Sequence, residues 1–105
     1  GGRAMQVLDL SNNQLSTLPD SICKLSALVE LNISSNDLEE LPSDIGKLSK
    51  LKNVDASSNR LKIFPCALLD CKHMEVLNLE HNSIGSVPSE IALKLTNLKK
   101  LLLDG

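Results

Sequence analysis

Cys66, Cys71 and His73 are residue types that ligate zinc, and they sit close together in the chain. Their spacing lacks a second Cys-x-x-Cys-like pair, and Cys71 stands where neighbouring segments carry leucine. A small apolar filler is the simpler role for Cys71, so no metal is expected. Histidine can sense pH or bind metal, but His81 stands alone just past a hydrophobic segment and is expected at the rim of a surface, in solvent. No Gly-x-Ser-x-Gly elbow or phosphate-cradling glycine loop occurs, and the paired Glu39-Glu40 falls in a turn. Neither catalysis nor a cofactor is expected. What remains is binding chemistry. Asp9, Asn32, Asp55 and Asn78 recur at intervals of 23 residues, with Glu30, Asn53 and Glu80 close beside them. If these groups share a surface, they form a short row of acceptors suited to a ligand that offers Arg, Lys or backbone N–H groups. The plain alternative is a solvated face.

Such a row needs a frame to hold it in line, and the chain supplies one. Met5 to Leu15 reads apolar-x-x-apolar-x-apolar-x-x-Asn-x-apolar. The same frame returns at Leu28 to Leu38, Leu51 to Leu61 and Met74 to Ile84, followed in turn by Leu18-Pro19, Leu41-Pro42, Phe64-Pro65 and Val87-Pro88. Within it, Leu8 and Leu10, Leu31 and Ile33, Val54 and Ala56, and Leu77 and Leu79 alternate with period two, which predicts short strands with one buried face. Adjacent strands then pair in parallel, about 4.8 Å apart. Pleating turns Val7, Asp9 and Ser11 to the opposite face, together with Glu30, Asn32 and Ser34, Asn53, Asp55 and Ser57, and Val76, Asn78 and Glu80. Asn13, Asn36, Asn59 and Asn82 follow each strand at fixed spacing, and their amides are expected to turn inward and satisfy backbone groups as a structural ladder.

After each proline the spacing of Ile22 and Leu25, or of Ile45 and Leu48, predicts a helical arm with one buried stripe. Asp20, Ser43 and Ser89 follow the prolines where a side-chain oxygen can cap such an arm. The third unit departs from this pattern, with Ala56 on its strand, Phe64 in a leucine position and Cys66 in the capping position. The last connection is one residue longer, and Ile91 to Leu95 is expected to absorb the extra residue in a longer helix.

The chain has 105 residues, is 42% hydrophobic and contains a single aromatic residue, so aliphatic side chains must build the core. A formal charge of −2 argues against nucleic acid or an anionic membrane surface as partner. Lys24, Lys47, Lys50, Lys52, Lys72 and Lys94 crowd the arms and turns, leaving the strand face weakly acidic and the flank more basic. No apolar run approaches the roughly 20 residues of a membrane span. Gly1-Gly2-Arg3 is not followed by the apolar segment of a signal peptide. Three cysteines, an odd number, fit a reducing compartment, and the cytoplasm is expected. Asn32-Ile33-Ser34 is an Asn-x-Ser sequon, but Asn32 falls in a predicted strand, where glycosylation is not expected.

On these repeats the sequence resembles the leucine-rich repeat family. Leu18 to Leu25 and Leu41 to Leu48, reading Leu-Pro-x-x-Ile-x-x-Leu, look like its 23-residue, intracellular Ras-group class. The resemblance covers Met5 to Gly105 and implies an α/β, right-handed solenoid. A parallel sheet would line its concave side, and short helical or 3-10 arms its convex side. The expected organisation is a single array over residues 1–105, with repeats 5–27, 28–50, 51–73 and 74–97 and a partial repeat 98–105. Leucines near both ends point to an array cut at both ends, packed against further repeats or another chain. The resemblance also implies a protein-binding scaffold in intracellular signalling, and its relatives point to a small GTPase or a phosphatase subunit as partner. The partner-binding residues expected on the concave face are Asp9, Glu30, Asn32, Asn53, Asp55, Asn78, Glu80 and His81. The alternatives are a regulatory segment of a larger kinase or GTPase and a fragment of an extracellular receptor.

Overall fold

A computed structural model describes residues 4–104; Gly1-Gly2-Arg3 and Gly105 lie outside the described residues. Period-two alternation yields five short strands: β1 (Val7–Asp9), β2 (Glu30–Asn32), β3 (Asn53–Asp55), β4 (Val76–Asn78) and β5 (Lys100–Leu102). They form one parallel sheet in sequence order, in a register that sets Leu8 against Leu31, Leu31 against Val54, Val54 against Leu77 and Leu77 against Leu101. The principal extents of 45 × 32 × 20 Å are those of a stack growing along one axis. This is the solenoid that the repeats require, since each coil touches only the coils before and after it.

Each return path after the first three strands is a five-residue 3-10 arm, at Asp20–Lys24, Ser43–Lys47 and Cys66–Asp70. The arms sit between the preceding proline and a leucine or cysteine that closes them with an N–H bond three residues back: Leu25 to Ile22, Leu48 to Ile45 and Cys71 to Leu68. No side chain caps any of them, so the capping role expected of Asp20 and Ser43 is not realised. A 3-10 turn entered from proline already engages the Pro19 and Pro42 carbonyls with the Ile22 and Ile45 N–H groups. That leaves fewer free donors for a cap to satisfy. The extra residue of the fourth connection does not lengthen its helix. Instead α1 (Ile91–Lys94) is a four-residue α-turn, in which Lys94 and Leu95 bond back four residues to Glu90 and Ile91. Ser89 lies before it and does not cap it. One added residue lets this arm close as α rather than 3-10.

The core runs between sheet and arms. Leu31, Val54 and Leu77 enter it from the strands and Ile33, Ala56 and Leu79 from the residue just past each, while Ile45 and Leu68 enter from the arms and Leu48 and Leu95 from the residues that close them; all are buried. Burial of each large aliphatic side chain is worth roughly 1.5–3 kcal/mol before chain entropy is charged against it. In the third coil small Ala56 and large Phe64 are both buried. The second and third arms approach so closely at Gly46 that an added Cβ would stand 2.6 Å from the Ala67 carbonyl oxygen. Only glycine fits there.

A second set of bonds ties the coils together inside the turn after each strand. The Asn59 Oδ1 accepts the Leu38 N–H at 3.0 Å, while its Nδ2 donates to the Ile33 carbonyl of the preceding coil and to Ala56 and Ser57 of its own. Asn36 repeats this with Leu15, Leu10, Ile33 and Ser34, and Asn82 with Leu61, Ala56, Leu79 and Glu80. Asn13 is exposed and bonds only within its own coil, to the Leu10 and Ser11 carbonyls. Asn59→Ala strands the buried Leu38 N–H and removes one of the two donors that reach each of the Ile33, Ala56 and Ser57 carbonyls, and is expected to lower stability by roughly 1–3 kcal/mol. Asn13→Ala should cost well under half as much. Urea unfolding of both variants checks the difference.

Candidate functional site

The face opposite the core carries two columns with one residue from each strand, and a third set just past the first four strands. Val7, Glu30, Asn53, Val76 and Lys100 form the first, and Asp9, Asn32, Asp55, Asn78 and Leu102 the second. Ser11, Ser34, Ser57 and Glu80 follow just beyond the strands. Apart from Lys100, the first two columns line an open groove of about 330 Å³ that crosses all five strands. The first two columns hold three carboxylates (Asp9, Glu30 and Asp55) and one ammonium, that of Lys100, and Glu80 just beyond β4 adds a fourth carboxylate. The face is therefore acidic. Glu30 is further tied across strands by an Asn53 Nδ2 donor at 3.4 Å.

The central column is more specific than a row of acceptors, and this corrects the simpler expectation. The Oδ1 of Asp9 accepts both the N–H and the hydroxyl of Ser11, at 2.9 and 2.6 Å. Asn32 does the same with Ser34, and Asp55 with Ser57; Asn78 accepts the Glu80 N–H. Each is an Asx-type turn in which a side chain satisfies the backbone where the strand ends. One oxygen per residue is thus committed to the coil itself. What stays available, with no partner among the described residues, is Oδ2 on Asp9 and Asp55 and Nδ2 on Asn32 and Asn78. Along the stack the outward groups alternate: acceptor, donor, acceptor, donor. Bonding to Ser11, through its hydroxyl first and its N–H second, holds the exposed Asp9 carboxyl below its usual pKa, so it stays ionised to lower pH.

Four residues past the strands have a left-handed backbone: Asn12, Ser35, Ser58 and His81, with φ between 55° and 58°. Their N–H groups donate to the next coil, to the carbonyls of Ser34, Ser57 and Glu80 for the first three. For His81 the acceptor is the Asp104 carboxylate at 2.9 Å. His81 is exposed at the rim, with Nδ1 3.9 Å from Asp104 Oδ1. Sequence reasoning missed this turn, although the polar residue before every ladder asparagine was its signal. Asn32 lies within β2 and shares its oxygen with Ser34, so its sequon is part of the sheet.

Cys66, Cys71 and His73 are not brought together. Cys71 is fully buried with its thiol directed at the Ile45 carbonyl, 3.6 Å away, while Cys66 and His73 are exposed. No group of three His, Cys, Asp or Glu residues that could hold a metal occurs among the described residues. No helix among the described residues is long and apolar enough to cross a membrane.

Comparison with known families matches residues 3–61 to the Leucine rich repeat family, and residues 73–93 to a second pattern of the same description. The chain belongs to the leucine-rich repeat family. Among solved structures, a leucine-rich repeat protein of Leptospira interrogans superimposes with a TM-score of 0.82 at 32% identity over 93% of this chain and 25% of its own length. An internalin of Listeria monocytogenes gives a TM-score of 0.80 at 25% identity over 96% of this chain and 30% of its own. The leucine-rich repeat domain of APL1B gives 0.85 at 17% identity over 94% of this chain and 30% of its own, which is a likeness of fold. The chain thus spans between a quarter and a third of the length of these leucine-rich repeat proteins. Curated protein sequences gave no match.

Burial pushes the Cys71 thiol up to about 11. A group whose folded pKa is raised contributes stability below its unfolded pKa and loses it as pH rises through the folded value. The leucine-rich repeat fold should therefore lose stability progressively between roughly pH 9 and 11, and a Cys71→Ala variant, though less stable overall, should lose the Cys71 share of that slope. Denaturant midpoints measured across that range check it.

Proposed function

We propose that this leucine-rich repeat segment is a non-enzymatic docking module whose concave face binds a protein partner presenting cationic groups. The alternation of Asp9 and Asp55 carboxylate oxygens with Asn32 and Asn78 amide donors, on a face with four carboxylates and one lysine, carries the reading. The Asx-type bonds fix each side chain before any ligand arrives, so little rotamer entropy is lost on binding. With strands about 4.8 Å apart, the two free carboxylates stand roughly 10 Å apart, and a partner with two Arg or Lys side chains at that span fits them. Glu30 and Glu80 extend the negative field and raise the encounter rate, while Asn53 and His81 complete the rim.

The Leu-Pro-x-x-Ile-x-x-Leu arms support the resemblance to the intracellular Ras-group class, and that resemblance, rather than any residue of this chain, implies a role in signalling and a small GTPase or phosphatase subunit as partner. The three unpaired thiols favour the cytoplasm.

Titration with an arginine-rich peptide, followed by nuclear magnetic resonance, is expected to move the backbone signals of Asp9, Asn32, Asp55 and Asn78 and to leave those of the arms in place. Asp55→Arg should weaken that binding about tenfold with an unchanged circular dichroism spectrum, and added salt should weaken it further. Peptide signals that move on the arms instead, or full binding by Asp55→Arg, would defeat the reading.

A further inference from the structure

The third coil differs from the others on its outer flank as well as in its core. Where the first, second and fourth coils carry Thr17, Glu40 and Ser86, the third carries Ile63, whose surface is 79% exposed. Where they carry Asp20, Ser43 and Ser89, it carries exposed Cys66, and where they carry Ser21, Asp44 and Glu90, it carries Ala67. Three polar positions have become apolar in one coil only. The grooves between coils respond to this. Those between the first and second coils and between the third and fourth measure about 220 and 230 Å³, but that between the second and third measures about 420 Å³. It exceeds even the groove on the strand face, and Leu41, Leu61, Phe64 and Pro65 contribute to its lining.

The charges on its two walls differ in sign. Glu39 and Glu40 stand on the second-coil wall and Lys62 on the third-coil wall, and none of them belongs to an ion pair among the described residues. We propose that this flank is a self-association surface, occupied by the same flank of a second copy of the chain. A two-fold axis lying along the groove sets the third-coil wall of one copy over the second-coil wall of the other. Lys62 of each copy then meets Glu39 and Glu40 of the other, and the two Ile63 side chains leave water to close over the paired grooves. The two walls are opposite in sign, two carboxylates against one ammonium, so the patch pairs with a copy of itself. A partner of one uniform sign would match one wall and oppose the other, which is why the occupant is a second copy. The surface is independent of the strand face, and the two copies present their concave grooves separately.

Sedimentation equilibrium over a wide concentration range is expected to show a reversible monomer–dimer equilibrium for the 105-residue chain. Ile63→Asp changes an exposed side chain, so the fold is expected to persist by circular dichroism while the dimer dissociation constant rises about tenfold or more. Lys62→Glu should weaken the dimer, and adding Glu39→Lys and Glu40→Lys to it in the same chain should restore association, an effect that a merely structural role for these residues would not produce. Cys66 lines the groove, so its reaction with a thiol reagent should slow as wild-type protein concentration rises, and stay constant for Ile63→Asp. A chain that remains monomeric at every concentration, a dimer indifferent to Ile63→Asp, or a charge reversal that its counterpart does not rescue would overturn the proposal. None of these variants touches the strand face, so arginine-rich peptide binding there is expected to be unchanged and reports separately.

Discussion

Each junction between the first four coils depends on one side-chain amide, buried at Asn36 and Asn59 and half-buried at Asn82. The ladder asparagine combines a short reach, an acceptor and two donor hydrogens, and the turn after the strand uses all of these. Asn36, Asn59 and Asn82 accept an N–H from the preceding coil and donate to carbonyls of both coils. Aliphatic burial supplies most of the driving force for stacking but has no direction. The amides supply the direction. They fix the spacing and the register, so that every strand enters the sheet at the same height and every outward side chain falls into a column. Without that registry the polar residues of the face would be scattered groups.

Most of the architecture was legible in the sequence because it is periodic. Alternation at Leu31 and Ile33, or at Leu77 and Leu79, states which face is buried, and the interval between such pairs states that the strands are parallel and consecutive. The arms were legible in position and less so in detail. Proline followed by Ile-x-x-Leu fits a tight 3-10 turn or one turn of α-helix equally well, and the choice depends on how many residues must be spent before the next strand. The extra residue near Ile91 therefore changed the type of turn rather than its length. Serine and aspartate after proline resemble caps in any short helical segment, but turns this short satisfy their own donors.

The composition of the candidate site was legible, but its working chemistry was not. Asp9, Asn32, Asp55 and Asn78 are visible as a column from their spacing alone. That one oxygen of each is consumed by the residue two positions on depends on the rotamer, which leaves no periodic trace, and on the left-handed turn beyond it, whose trace is only a polar residue before each ladder asparagine. Serine at Ser11, Ser34 and Ser57 was the available clue, since it is the residue that can offer both a hydroxyl and an N–H to the same acceptor. The flank of the third coil was harder still to read. Ile63 and Cys66 look like ordinary departures from a repeat until the surface shows that they are neighbours.

Because the strand-exit bond uses the atom that aspartate and asparagine share, the two residues are interchangeable to the fold and opposite to a visitor. Exchanging one for the other reverses the polarity of a single point on the surface, a change within reach of one nucleotide substitution. The column behaves as a binary word, one digit for each of the first four coils, written in a script that the scaffold does not read. A lineage carrying such an array can drift from one ligand to another, digit by digit, without ever passing through an unfolded ancestor.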